Sequence, residues 1–167
     1  LGTLADIAAT LRRLGRLAGT GAAANARAEL FEAELRALRE RYAGRPPLKV
    51  FYQIWHRPLL TINRRHLISE GLALCGAQNV FGTLAPLTPT VSEEAVVEAD
   101  PDAIVAGRAG RDGPDPLDLW RRLTQLKATR HGALLVVDSD TLHRSSDRIV
   151  EGIRGLCEQL DGVRRAP

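Results

Sequence analysis

Two short stretches of this 167-residue chain carry side chains suited to holding a ligand. The first, Trp55, His56, Arg57 and Pro58, follows directly on Val50 to Ile54, a run rich in β-branched and aromatic residues that predicts a buried strand. An indole, an imidazole and a guanidinium at a strand's carboxyl end offer stacking, hydrogen bonding and charge where open α/β sheets bind ligands. The second stretch, Asp138 to Arg144, follows the predicted strand Ala133 to Val137 and presents Asp140, Thr141, Leu142, His143 and Arg144. His56 and His143 thus occupy comparable places and can share one cleft, as polar contacts to a ligand or as the working residues of a small α/β enzyme.

Other chemistry finds little footing. The four histidines show no metal-ligand spacing, and neither HExxH nor Cys-x-x-Cys occurs. His66 opens a predicted helix and His131 precedes a glycine, so both are expected at the surface. No nucleophile elbow, Walker loop or dinucleotide fingerprint is present, and the glycines of Gly107 to Gly113 have the wrong spacing to cradle a phosphate. They predict a turn. No catalytic residue, metal site or catalytic cofactor is therefore assigned. Cys75 and Cys157 each fall on an apolar stripe near a helix end, which fits two buried thiols in a reducing compartment or one bridge in an exported protein. Glu93 and Glu94 follow the helix cap Ser92, where the positive end of the helix dipole favours carboxylates.

The elements that must position these residues alternate strand with helix. Thr3 and Asp6 cap a first amphipathic helix with Leu4, Ile7, Ala8, Leu11 and Leu14 on its stripe, and Gly19 to Gly21 interrupt it. A helix from Ala22 to Ala43 follows, with Phe31, Leu35, Leu38 and Tyr42 inward and Glu32 one turn from Arg36, until Gly44 and Pro46 stop it. Beyond the first strand, helix His66 to Cys75 leads to a short strand Asn79 to Phe81 and a proline-bearing loop, Leu84 to Pro89. Strand Ala103 to Ala106, a loop Gly107 to Asp115, a helix from Pro116 through Trp120 and Leu123, and a last helix capped by Ser145 or Ser146 complete the pattern. The expected fold class is α/β: a single Rossmann-like lobe with a mainly parallel central sheet flanked by helices, preceded by one long helix. The first two helices fit such a domain poorly, because the stripe of the first has no evident partner.

With 44% apolar and 26% charged residues the chain is globular, and a net charge of +3 from 23 basic and 20 acidic side chains leaves no basic stripe for nucleic acid. No stretch is apolar enough for a membrane span. The absence of Met points to a processed product or fragment, so the lack of a signal peptide is not taken to indicate the cytoplasm.

Together, Lys49 to Trp55, Leu74 to Phe81, Thr90 to Val97, Asp100 to Val105 and Asp138 to Arg144 resemble, in order and spacing, the periplasmic cobalamin-binding proteins of vitamin B12 ABC importers, members of the substrate-binding proteins whose two lobes are joined by one rigid helix. The resemblance covers nearly the whole chain. It implies that residues 1–21 end an N-terminal lobe, 22–45 form the inter-lobe helix, and 46–167 form a C-terminal ligand-binding lobe of an exported carrier without enzymatic activity. Haem and ferric-siderophore carriers share this architecture and are the alternative within the class. By the resemblance, Asp140, Thr141, Leu142, His143 and Arg144 contact the corrinoid, Trp55, His56 and Arg57 form a second wall, and Thr88 falls where relatives present an aromatic ring. His143 stands where relatives carry an acidic residue. Glu94 corresponds to the glutamate that docks on arginines of the membrane permease, and Cys75 and Cys157 to a bridged pair.

Overall fold

The structure, a computed structural model, describes residues 2–108 and 113–166. Residues 109–112, in the expected Gly107 to Asp115 loop, lie outside that range. The chain runs α1 (Leu4–Leu17), α2 (Gly21–Tyr42), β1 (Leu48–Gln53), a small ribbon β2 (Trp55–His56) with β3 (Leu59–Leu60), α3 (Leu67–Leu74), β4 (Ala77–Asn79), α4 (Glu93–Ala99), β5 (Ala103–Arg108), two short turns α5 (Asp118–Arg121) and α6 (Lys127–Arg130), β6 (Leu134–Asp138), α7 (Ser139–Leu142) and α8 (Ile149–Arg165). The four long-range strands form one parallel sheet in the order β4-β1-β5-β6, flanked by helices, as the alternation predicts. From β1 the chain crosses to β4 at one edge, returns to β5 on β1's other side, and continues outward to β6. Crossovers therefore diverge between β1 and β5, which opens a crevice at the carboxyl ends of those strands.

Side-chain alternation gives β1 two working faces. Phe51 and Gln53 point toward α5: Phe51 meets Trp120 edge to face at 5.6 Å and Phe81 at 5.7 Å, and the Trp120 indole donates to Gln53 Oε1 at 2.6 Å. Tyr52 points the other way, toward the end of α7. Trp120 is fully buried, in the core as its sequence position suggests.

The first helix does have a partner. Leu4, Ile7 and Ala8 are buried, and α1 packs along α2 so closely that a Cβ on Gly15 would stand 2.1 Å from Ala24 Cβ. Arg12 forks both oxygens of Glu32 at 2.7 and 2.9 Å, so Glu32 bridges the helices instead of pairing with Arg36 along its own. The pair is tied to the sheet layer by Leu4 N donating to Glu70 at 2.6 Å, by Arg27 with Asp147 and by Arg154 with Glu34. Leu14 and Leu17 in the last turns of α1 remain exposed.

Three local expectations are corrected. β4 occupies Ala77–Asn79, because Asn79 Oδ1 accepts from Phe81 N at 2.9 Å and turns the chain where a strand Asn79 to Phe81 was expected. The helix expected from Pro116 to Leu123 shrinks to α5, since burying the Trp120 indole and giving its carbonyl to Thr129 Oγ1 at 2.9 Å ties the segment to tertiary partners. The turn α7 that follows β6 is capped by Asp138, whose carboxylate accepts from Asp140 N at 2.8 Å. No hydroxyl caps α8: Ile149 N instead donates to the backbone carbonyl of Ser146 at 3.0 Å.

Cys75 at the end of α3 and Cys157 in α8 are joined by a disulfide across 82 residues of sequence, both sulfurs in the core. Nearby, the almost fully covered Arg164 donates to the carbonyls of Cys75, Gly76 and Pro46 at 2.6, 3.0 and 2.8 Å, closing the carboxyl end of α3. A loop of this length gives a bridge worth about 4 kcal/mol on the chain-entropy account. Replacing both cysteines by alanine is expected to lower the urea unfolding free energy by about that amount, and a loss under about 1 kcal/mol would show that α3 and α8 hold together without it.

Candidate functional site

The carboxyl end of β1 does not open into a free loop. Ile54 N donates to Leu60 O at 2.9 Å, and Trp55 and His56 pair antiparallel with Leu60 and Leu59. The Arg57–Pro58 peptide at the tip is cis. The returning segment clasps the proline-bearing loop, through Thr61 N to Pro89 O, Asn63 N to Leu87 O and Val91 N to Leu59 O, each 3.0 Å. Buried polar side chains fix this clasp. Thr61 Oγ1 donates to Tyr52 O at 2.7 Å, and Asn63 Nδ2 donates to Leu84 O at 3.0 Å. Asn79 Nδ2 reaches Ser69 Oγ at 2.9 Å, while Ser69 donates to Asn63 O at 2.7 Å. With each buried donor satisfied, two irregular segments become a rigid rim.

Behind the rim lies a hollow of about 340 Å³. Ile54, Ile68, Leu87 and Leu142 give it an apolar lining, and Arg65, His66, Thr88, His143 and Ser145 supply its polar groups. An apolar recess with a few convergent polar groups is the usual form of a small-molecule site.

Of the residues singled out in the sequence, Thr88, Leu142 and His143 line this hollow. Leu142 is almost wholly covered, packed where a Cβ on Gly152 would stand 2.9 Å from its Cγ. Trp55, His56, Arg57, Asp140, Thr141 and Arg144 are not among its lining. Trp55 lies on the ribbon at the end of β1, 54% exposed, its Nε1 donating to Arg57 O at 2.8 Å and its ring 5.3 Å from that of His56. The indole is thus oriented by its own hairpin while remaining open to a stacking partner. Asp140 and Arg144 sit on the exposed turn after β6, 3.8 Å apart. Glu94 is exposed in the first turn of α4, where Ser92 Oγ accepts from Ala95 N at 3.1 Å.

The histidine that shares the recess with His143 is His66, not His56. His66, expected at the surface, is half-buried, because it caps α3: its Nδ1 accepts from Ile68 N at 3.2 Å, which turns the ring inward. His131 is exposed, as expected. Arg65, whose Nη2 donates to Ala85 O at 2.6 Å, Ser145 and the buried Tyr52 also belong to the site and escaped the sequence reading. The available signal was three polar residues, Thr61, Asn63 and Arg65, interrupting an apolar run.

No family model matches the chain. Among curated proteins it is 31% identical over 170 residues to the vitamin B12-binding protein of Pectobacterium atrosepticum and 29% identical over 164 residues to that of Vibrio parahaemolyticus. These alignments take in 99% and 98% of the chain and 59% of each relative. The chain therefore spans about three fifths of the length of these relatives. Among solved structures, the periplasmic vitamin B12 binding protein BtuF of Vibrio cholerae superposes with a TM-score of 0.83 at 26% identity, over 98% of this chain and 64% of that one. By sequence and by fold, this chain is similar to the periplasmic vitamin B12-binding proteins. The same fold is shared with the periplasmic haem-binding protein RhuT from Roseiflexus, at a TM-score of 0.85 and 18% identity, covering 98% of this chain and 65% of that one.

Beside the Arg65 guanidinium, burial holds the titratable rings of the hollow toward their neutral forms. Burial pushes the His66 imidazole below its ordinary value of 6.5, helped by the neighbouring His143. Burial likewise lowers His143, against a smaller opposing pull from Asp140. Both rings are neutral at pH 7. Burial raises the Tyr52 phenol, which keeps its proton. For His66 the unfolded chain binds more protons than the folded one between the lowered folded value and 6.5, so stability is complete above pH 6.5 and declines as pH falls below it. Protonation would also oblige Nδ1 to carry a hydrogen toward Ile68 N–H and abolish the cap. Thermal unfolding at pH 7.5 and pH 5 is expected to show this decline, and His66→Asn, which caps without titrating, is expected to lessen it to the part that His143 contributes. An identical decline in His66→Asn would assign the acid sensitivity elsewhere.

Proposed function

We propose that this chain contributes a ligand-binding lobe to the substrate-binding component of an ABC importer, exported to the periplasm, that carries cobalamin or a related corrinoid to a membrane permease. On this reading residues 46–167 form the C-terminal lobe, 22–45 the helix joining it to a second lobe, and 1–21 the end of that lobe. The observation that carries it is the joint match, in sequence and fold, to proteins named for vitamin B12 binding over nearly the whole chain. Three features support it independently. The hollow lies beyond the carboxyl ends of β1 and β6, the side on which an α/β sheet offers a ligand site. A buried disulfide suits an oxidising compartment. Glu94, exposed on a helix's first turn, is free to receive a guanidinium fork from a permease arginine.

Trp55 supplies the stacking surface, with His56 and Arg57 beside it, while Asp140, Thr141 and Arg144 supply polar contacts from the turn after β6. Thr88, Leu142 and His143 form the recess between them. No catalytic cofactor is required. A haem carrier is the second reading, favoured by the fold shared with a haem-binding protein and by two histidines in the recess. An enzyme built on His56 and His143 has less to stand on, because only His143 lines the hollow.

Titration of the chain by isothermal calorimetry is expected to give binding of cyanocobalamin that hemin and a ferric hydroxamate do not match. Trp55→Ala should weaken that binding by about tenfold, the loss of one aromatic contact at an interface's centre. Tighter binding of hemin than of cyanocobalamin would transfer the assignment to the second reading.

A further inference from the structure

His143 is held from several sides. Its Nε2 lies 3.0 Å from the hydroxyl of Tyr52, a residue with no exposed surface. Its ring passes so close over β5 that a Cβ on Gly107 would stand 3.1 Å from Cε1 and 3.2 Å from Nε2. Any side chain there would push the ring aside by a few tenths of an ångström. The turn that carries it is fixed by His143 N donating to Ser139 O at 2.9 Å.

Which atom holds the proton in the Tyr52–His143 contact follows from burial. Among the described residues the Tyr52 hydroxyl has His143 Nε2 as its hydrogen-bond partner. If Nε2 carried the proton and donated it, the phenolic hydrogen would be left in the core with no acceptor, an uncompensated desolvation. If the phenol donates, no buried donor is orphaned. A neutral imidazole whose Nε2 accepts must carry its own proton on Nδ1. Nδ1 has no hydrogen-bond partner among the described residues.

We propose that Tyr52 is a positioning residue that locks His143 as a neutral Nδ1–H donor, so that this wall of the hollow selects a ligand presenting an oxygen acceptor, such as an amide carbonyl, and refuses a metal centre at that nitrogen. Ligation of a metal requires a free lone pair, and a protonated Nδ1 has none. The titratable or charged groups facing the ring are Tyr52 from β1, Asp140 from α7 and His66 from the start of α3, with Arg65 on the same hollow. The tautomer stands independently of the ligand; naming corrinoid amides as the acceptor rests on the function proposed above.

The test is an imidazole nitrogen–proton correlation spectrum of the nitrogen-15-labelled chain across pH. Wild-type His143 is expected to show the Nδ1–H form at pH 7.5. In Tyr52→Phe the ring should revert toward the Nε2–H form, and its titration midpoint should rise, because the neutral form loses its donor. Cyanocobalamin affinity should fall by about fivefold, the effect of one misplaced hydrogen bond, while hemin affinity should increase. Should Tyr52→Phe fail to fold, Gly107→Ala, which displaces the ring by a few tenths of an ångström and leaves the phenol in place, should shift the tautomer the same way. An Nε2–H tautomer in the wild type, or a tautomer indifferent to both variants, overturns the proposal. An Nδ1–H wild type that ignores cyanocobalamin keeps the lock and removes the corrinoid reading.

Discussion

The register of β1 against β5 is the constraint on which the site depends. Val50 stands opposite Ala103, Phe51 opposite Ile104, Tyr52 opposite Val105 and Gln53 opposite Ala106. Strand side chains alternate with a period of two, so a slip by one residue would exchange the faces of Tyr52 and Gln53. Gln53 would leave the Trp120 indole and the Pro116 carbonyl, which it now joins at 2.6 and 2.8 Å, and Tyr52 would leave His143. Each departure would strand a buried polar group. The wrong register is therefore penalised on both sides of the sheet at once.

This arrangement divides labour between core and rim. The apolar layers, closed by the disulfide and by Arg164 on the carboxyl end of α3, hold strands and helices in place but leave the strand ends undetermined. The rim is determined by side-chain hydrogen bonds to backbone, from Thr61, Asn63, Arg65, Asn79 and His66. Irregular segments need such bonds because their peptide groups have no ladder to join. His66 does two jobs here. Its Nδ1 caps the start of α3 and its ring lines the recess, so a proton placed on Nδ1 would disturb both.

The sequence made the layers legible and the rim much less so. Periodicity located the parallel strands, the long helices and the core position of Trp120, because burial imposes a regular spacing that a single chain displays. It placed β4 two residues late, since the turn at Asn79 is made by a side chain closing on its own backbone. It gave α1 no partner, although Gly15 and Ala24, a small pair at a helix crossing, are the features that let α2 approach. His56 was paired with His143 on the argument that both follow strands, and position along a chain does not say which way a ring turns. His66 was read as exposed because helix starts are exposed on average; only the capping bond to Ile68 brings it inward. The disulfide follows from the resemblance and not from spacing, which leaves free thiols in a reducing compartment and a bridge in an oxidising one both open.

The geometry also bears on what such a site can hold. A recess of about 340 Å³ suits a small ligand or one projecting part of a large one. The residues assigned to ligand contact extend well beyond it: Trp55 is exposed on the ribbon, and Asp140 and Arg144 lie on the exposed turn after β6. A small ligand confined to the recess would have no use for them. A broad, flat ligand laid over the rim would stack on the indole, reach the carboxylate and guanidinium with its periphery, and send a single substituent down between Thr88 and His143. Because that surface is open, one face of the ligand would remain in water unless a second surface closed on it. Affinity would then depend on how much of the broad ligand both surfaces desolvate, and discrimination among ligands of similar breadth would fall to the few polar atoms in the recess, chief among them the nitrogen of His143 that Tyr52 leaves free.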